Sequence, residues 1–123
     1  MLNPTDAKTA DSLTLSYSYS DPDGNPESGT VITWYKDSIA QPQGTIPGKV
    51  VSSSLTAKNE QWYAEVTPSD GQDSGQTITS NTVTIQNTPP TVSSPAISPS
   101  QPSSNDDLSI TISSSDDDQD VLT

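Results

Sequence analysis

The opening of this 123-residue chain is written a second time, in related form, near its end. "LNPTDAKTADSLTLSYSYSDPDGN" (Leu2 to Asn25) lies without a gap over "ISPSQPSSNDDLSITISSSDDDQD" (Ile97 to Asp120), an offset of 97 − 2 = 95 residues. Pro4 meets Pro99, Asp11 meets Asp106, Leu13 meets Leu108, and Ser20-Asp21 meets Ser115-Asp116. Leu15 and Tyr17 meet Ile110 and Ile112, so the apolar positions repeat as well. A period of this size suits a tandem array of β-sandwiches, whose units run to about 100 residues. The chain therefore reads as one complete repeat (1–87), a Pro/Ser-rich interdomain linker (88–96) and the first strands of a truncated second repeat (97–123).

Inside the first repeat, apolar residues alternate at period two, the spacing of a strand with one buried face. In "SLTLSYSYS", Leu13, Leu15, Tyr17 and Tyr19 point one way, and in "TVITWYKD" Ile32 and Trp34 do. "VVSSSLT" sets Val51, Ser53 and Leu55 on one face, and "QWYAEVTP" sets Trp62, Ala64 and Val66 against Tyr63, Glu65 and Thr67. "NTVTIQN" closes the unit with Val83 and Ile85. Turn-rich stretches such as "AQPQGTIPG" and "PSDGQDSGQ" separate these runs, and no segment carries a helical period. Serine and threonine on the outward positions predict two antiparallel sheets packed together, each with a wet outer face.

Charge and missing residue types remove whole classes of chemistry. Sixteen acids, thirteen of them Asp, stand against four lysines, for a net charge of −12. Nucleic acid and anionic membranes bind through basic surface, so neither is an expected partner. With no His and no Cys, the chain can build no Ser–His or Cys–His nucleophile, no zinc site of the usual kind and no disulfide. It holds no apolar run long enough to span a bilayer and no charged-then-apolar leader at Met1, so a secreted parent would be represented by an excised piece. Leu, Ile, Val and Phe total 21 residues, a composition close to that of disordered chains. Their regular placing argues for a folded first repeat and leaves the last third as the segment most open to disorder.

The motifs "SDPDGN", "ITWYKD", "NEQWYAEVTPSDG" and "SNTVTIQNTPPTV" resemble those of immunoglobulin-like repeats in large archaeal and bacterial surface proteins, akin in architecture to PKD-like and cadherin-like modules. The resemblance covers nearly the whole chain. It implies an all-β fold, an immunoglobulin-like antiparallel β-sandwich of about seven strands, followed by an incomplete second repeat. Trp34 would be the core tryptophan of the third strand, with Leu15 and Ala64 where disulfide-bearing relatives place their two cysteines. The resemblance also implies an extracellular, cell-surface location, and calcium at domain junctions as in cadherin-like arrays.

The repeated acidic motif has two readings. A turn explains "DPDGN" well, since Pro presets one dihedral and Gly supplies a positive one. It explains "DDDQD" poorly, because both are gone. What survives is an acid or amide at alternate positions: Asp21, Asp23 and Asn25 become Asp116, Asp118 and Asp120. Oxygens at every second residue of a curling loop are what a hard cation requires. A full EF-hand loop is absent, because Pro26 and Ile32 stand where its Gly and Glu would be.

In the implied fold the loops after the second and sixth strands share one end. That brings Asp70 and Asp73 beside the first motif, and the entering linker, with Asn87, beside the second. Crowded carboxylates repel unless neutralised. The candidate calcium ligands are thus Asp21, Asp23, Asn25, Asp70, Asp73, Asn87, Asp116, Asp118 and Asp120, with a plain acidic turn and a salt-adapted surface as alternatives. Any affinity is expected at roughly 10⁻⁴–10⁻³ M, the range of extracellular modules.

The leading functional expectation is a non-catalytic structural and adhesive spacer of a repetitive cell-surface or filament protein, whose partners are its neighbouring repeats. Residues 91–123 are too few to close a core, so self-assembly by strand addition to another molecule's sheet edge is a second expected contact. The alternative is a carbohydrate-binding or other recognition module of a secreted multidomain protein, with outward Tyr35 and Tyr63 as the platform for glycans. A hydrolase pairing Asp21 with Asp70 is the weakest reading, because a cation loop imitates such a carboxylate pair cheaply.

Overall fold

The computed structural model describes residues 1–121, and the chain divides after Asn87 into two compact units. The first unit carries β1 (Leu2–Asn3), β2 (Leu13–Leu15), β3 (Val31–Lys36), β4 (Ile39–Ala40), β5 (Val50–Val51), β6 (Gln61–Thr67), β7 (Ile78–Thr79) and β8 (Val83–Thr84). One sheet runs β1-β2-β5 and the other β4-β3-β6-β7, with β8 also on β6. Every strand pairing is antiparallel. Both sheets contribute to a single core, as the alternation requires: Leu2, Leu13, Leu15 and Val51 come from the first, Trp34, Trp62, Ala64, Val66 and Val83 from the second. The fold is an all-β, sandwich-like packing of two sheets.

The longest ladder, β3 on β6, runs from Val31↔Thr67 to Lys36↔Trp62 and sets Trp34 opposite Ala64. A small partner there leaves room for the indole. Buried indole N–H groups need acceptors, and both find one: Trp34 Nε1 donates to Gly48 O (3.2 Å) and Trp62 Nε1 to Glu60 Oε2 (3.0 Å). Among the described residues no polar side chain is buried outright. With no cysteine in the chain, the two sheets are held chiefly by this packing rather than by a disulfide.

Two details depart from simple alternation. The run "VVSSSLT" stops being a strand at Val51, because Ser52 caps a 3₁₀ turn over Ser53–Leu55 by accepting the Ser54 N–H. Serine offers the backbone a local alternative to the ladder, and Leu55 is left 43 % exposed rather than facing the core. Between β7 and β8 the register on β6 slips by one residue, from Glu65↔Thr79 to Trp62↔Val83. That slip is a bulge. Ser80 fills it, its N–H donating to Ala64 O (2.8 Å) and its hydroxyl accepting the Ala64 N–H (3.0 Å). Asn81 is thereby turned off the ladder, and its side chain clasps Leu2, accepting the Leu2 N–H (2.7 Å) and donating to Leu2 O (3.0 Å). The bulged strand of one sheet thus holds the first strand of the other. Nearby, Lys8 and Gln86 form a parallel bridge in which the Gln86 N–H donates to Ala7 O (2.7 Å).

The second unit carries β9 (Thr91–Val92), β10 (Ala96–Ser98), β11 (Ser109–Thr111) and β12 (Ser114–Ser115). β10 pairs with β11 and β12 with β9, both antiparallel, so β9 lies inside the Pro/Ser-rich stretch read as linker. The β10–β11 register, Ile97↔Ile110 and Ser98↔Ser109, is that of β1–β2, Leu2↔Leu15 and Asn3↔Thr14, displaced by 95 residues. A small turn repeats at the same offset: the Lys8 N–H donates to Asp11 Oδ2 (2.9 Å), and the Ser103 N–H to Asp106 Oδ2 (2.7 Å). No described residue of this unit is a buried hydrophobe; Ile97, Leu108, Ile110 and Ile112 are 58–66 % exposed. Backbone pairing, not a core, holds its shape.

Candidate functional site

Both acidic loops close by one device. In the first, Asp21 Oδ1 accepts the N–H of Asp23 (2.8 Å) and of Asn25 (3.1 Å). In the second, Asp116 Oδ1 accepts the N–H of Asp118 (2.8 Å) and of Asp120 (3.2 Å). The Gly24 N–H reaches Asp21 O and the Gln119 N–H reaches Asp116 O, and both donors have positive φ, 77° and 58°. The expectation that "DDDQD" suits a turn badly is therefore corrected. The leading aspartate, not proline or glycine, closes the loop from its side chain, and Gln119 adopts the left-handed region despite its Cβ.

The third position separates the copies. Asn25 has an amide N–H to give, and it donates to Asp70 Oδ2 at 3.2 Å. Asp70 Oδ1 in turn accepts the N–H of Gln72 (2.8 Å) and of Asp73 (2.7 Å). The two loops of the first unit are so knitted by neutral donors. Asp21, Asp23, Asp70 and Asp73 line an acidic cleft of about 250 Å³ floored in part by Tyr19 and Pro68. Among the described residues of this unit no three carboxylates draw together. Asn87, expected beside the second motif, has its Oδ1 accepting from Lys58 Nζ at 3.4 Å, and the neighbouring Thr88 is the residue that meets that motif.

Asp120 has only oxygens to offer. Asp116, Asp118 and Asp120 each place a carboxylate oxygen within 4.8 Å of the others, all three half-buried. Asp116 Oδ2 is buried and, among the described residues, takes no hydrogen bond, while Asp118 Oδ2 accepts the N–H of Thr88 (2.7 Å) at the start of the unit. A buried carboxylate oxygen without a donor is costly to keep, and a cation removes that cost. The donor set, three hard anionic oxygens, fits calcium.

Hydrogen bonds to ionised carboxylates make part of the stability pH-dependent. The N–H groups of Asp73 and Gln72, then the Asn25 amide, hold the Asp70 carboxyl below its ordinary value of 3.8, against some desolvation. Asp106 is lowered likewise by the Ser103 N–H and hydroxyl. A pKa lowered on folding means stability present above the unfolded value and lost as pH falls through the folded one. The melting temperature should thus hold down to about pH 4 and drop below it, and Asp70→Asn should flatten the drop. A melting series from pH 6 to pH 2 on both chains checks this; equal slopes would exclude Asp70 as a contributor.

The outward tyrosines meet across the ladder. The Tyr35 and Tyr63 rings stack at 4.6 Å and 4°, and the Tyr35 hydroxyl donates to Glu65 Oε2 (3.0 Å). Each ring gives one face to the other, which leaves less open aromatic surface for a sugar than two separate rings would. A second cleft, of about 270 Å³ and mostly apolar, lies among Leu15, Tyr17, Ser18, Val66, Pro68 and Ile78.

Sequence reasoning placed Asp70 beside the first motif and the entering linker beside the second, and both contacts are present; what it missed is that a neutral donor, the Asn25 amide or the Thr88 N–H, makes each of them. The change from Asn25 to Asp120 at equivalent positions was the readable signal for the first. The chain matches no protein-family model, no curated protein and no solved structure. Among the described residues no helix is long and apolar enough to cross a membrane.

Proposed function

We propose that the chain is a non-catalytic structural and adhesive spacer from a repetitive extracellular protein of a cell surface or filament, built of immunoglobulin-like repeats. Calcium held by Asp116, Asp118 and Asp120 stiffens the entry to a repeat. The repeated β-register and the repeated Asx turns support a tandem array. The observation that carries the calcium reading is the pairing of a buried, donor-less Asp116 Oδ2 with an Asp118 carboxylate that grips the entering backbone at Thr88. A cation there supplies positive charge that the three carboxylates share. Asp118 then fixes Thr88 relative to that loop, so neutralising the loop also orders the segment that enters the repeat.

The test is a calcium titration of the full chain, followed by the amide resonances of Thr88 and of Asp116–Asp120, with magnesium and matched ionic strength as controls. Calcium at ten times its dissociation constant adds about 1.4 kcal/mol to the state that binds it. Asp120→Asn, which copies Asn25 of the first loop, should weaken the response at least about tenfold while keeping the turn, because it removes one anionic ligand. A response of equal size to any salt would leave an acidic turn and no calcium site.

A further inference from the structure

We infer that Asn25 is the residue that frees the acidic loop of the first unit from calcium: its amide locks that loop to the Asp70 loop, the task a cation performs where the motif carries aspartate instead. The inference rests on the calcium reading of Asp116, Asp118 and Asp120 and extends it to what decides the need for an ion.

Of the three alternate positions of the motif, only the third differs between the copies. Asp21 and Asp23 return as Asp116 and Asp118, 95 residues on, whereas Asn25 returns as Asp120. The turn itself is the same in both, since Asp21 Oδ1 and Asp116 Oδ1 each accept two N–H groups, from the second and the fourth residue beyond. Backbone therefore does not set the loops apart. The side chain at the third position does.

In the first unit the Asn25 amide gives its hydrogen to Asp70 Oδ2 (3.2 Å), while Asp70 Oδ1 serves the N–H groups of Gln72 and Asp73. The same two loops are also tied by contacts that position 25 does not make. The Ser28 N–H donates to Ser69 O (2.8 Å) and the Ser69 N–H to Thr30 Oγ1 (3.3 Å). Gly71 packs so closely on Ser28 that a Cβ there would come within 3.2 Å of the Ser28 hydroxyl oxygen. These contacts keep Asp70 within reach of position 25 whatever residue stands there.

A carboxylate at that position would thus replace an attractive contact with two like charges at the same spacing. Asp21 and Asp23 line the cleft on one side, Asp70 and Asp73 on the other, so the new charge would complete a set of hard anionic oxygens. The second unit carries that chemistry: Asp120 joins Asp116 and Asp118 within 4.8 Å, and an ionised carboxylate has no hydrogen to give. Amide or carboxylate at one position therefore selects a loop locked permanently or a loop locked by calcium, and this chain carries one of each.

The experiment melts the full chain in EDTA, in calcium, and in magnesium at matched ionic strength. Tryptophan fluorescence reports the first unit alone, because both tryptophans lie there. The unaltered chain should melt at the same temperature in all three. Asn25→Asp should lower that temperature in EDTA by about 4 °C or more. Calcium at ten times its dissociation constant, roughly 1–10 mM for a module of this class, should raise it again by about 5 °C or more. Asn25→Ala loses the same bond and should show no recovery. The double variant Asn25→Asp/Asp70→Asn exchanges amide and carboxylate while keeping an acceptor for the Gln72 and Asp73 N–H groups. It should regain stability in EDTA and lose the calcium response.

No calcium-specific rise for Asn25→Asp would overturn the inference, and so would an equal rise for Asn25→Ala or for the unaltered chain. The amides of Asp116–Asp120 in the unaltered chain judge the calcium reading separately. A calcium shift there, without a rise for Asn25→Asp, would overturn this inference and keep that reading. A rise for Asn25→Asp without a shift there would do the reverse.

Discussion

Replacing Trp62 with Ala should destabilise the first unit by about 3–5 kcal/mol. Trp62 is 1 % exposed and heads the fully buried side chains by volume. It sits on the central strand β6, paired with Lys36 on one side and Val83 on the other, so no loop is at hand to collapse into the space. The indole also donates to Glu60, which holds Lys36 in the single ion pair among the described residues (3.1 Å). That pair is half-exposed and contributes at most about 1 kcal/mol, so the loss is chiefly one of packing. For a unit of this size the melting temperature should fall by roughly 12 °C or more. Because the described core lies wholly within residues 1–87, resonances of Ser109–Ser115 should stay where they are. Urea and thermal melts with tryptophan fluorescence from Trp34 measure the change; a loss under about 1 kcal/mol would mean that the two sheets do not share the core described.

Asn81→Ala should lose about 1–3 kcal/mol, although Asn81 itself is exposed. Its amide makes two bonds to the backbone of Leu2, and Leu2 is completely buried at the rim of the core. Without the clasp, β1 keeps its short pairing with β2, Leu2↔Leu15 and Asn3↔Thr14, and the adjoining bonds between Met1 and Ser16. Asn81→Asp should cost more than Asn81→Ala, because a carboxylate would face the Leu2 carbonyl that the amide now serves. Hydrogen exchange at the Leu2 amide is the direct measure. Unchanged protection in both variants would show that packing of the Leu2 side chain alone holds the strand.

Much of this fold was legible because a half-buried strand advertises itself by alternation. Leu13, Leu15, Trp34, Trp62, Ala64, Val66, Val83 and Ile85 were all readable as core, and each is buried. Leu2, Ala7 and Ile46 were not, since they sit on a two-residue strand or in loops too short to show a period. Leu55 was misplaced because Ser52 ends the strand by a local hydrogen bond that alternation does not register. Asn81 was invisible for another reason: its partner is 79 residues away. In the acidic loops the offset of 95 residues correctly singled out the repeated positions. Sequence alone could not show that Asp21 and Asp116 turn one oxygen inward to the backbone, which leaves only the other to meet a ligand.

The parallel contact between Lys8 and Gln86 has a mechanical consequence. These residues lie near opposite ends of the first unit in sequence, yet side by side in space and running the same way. Tension applied through the two ends drags the segments past each other in opposite directions. The Gln86–Ala7 hydrogen bond and the burial of Ala7 and Ile85 are then loaded together, in shear, rather than peeled one after another.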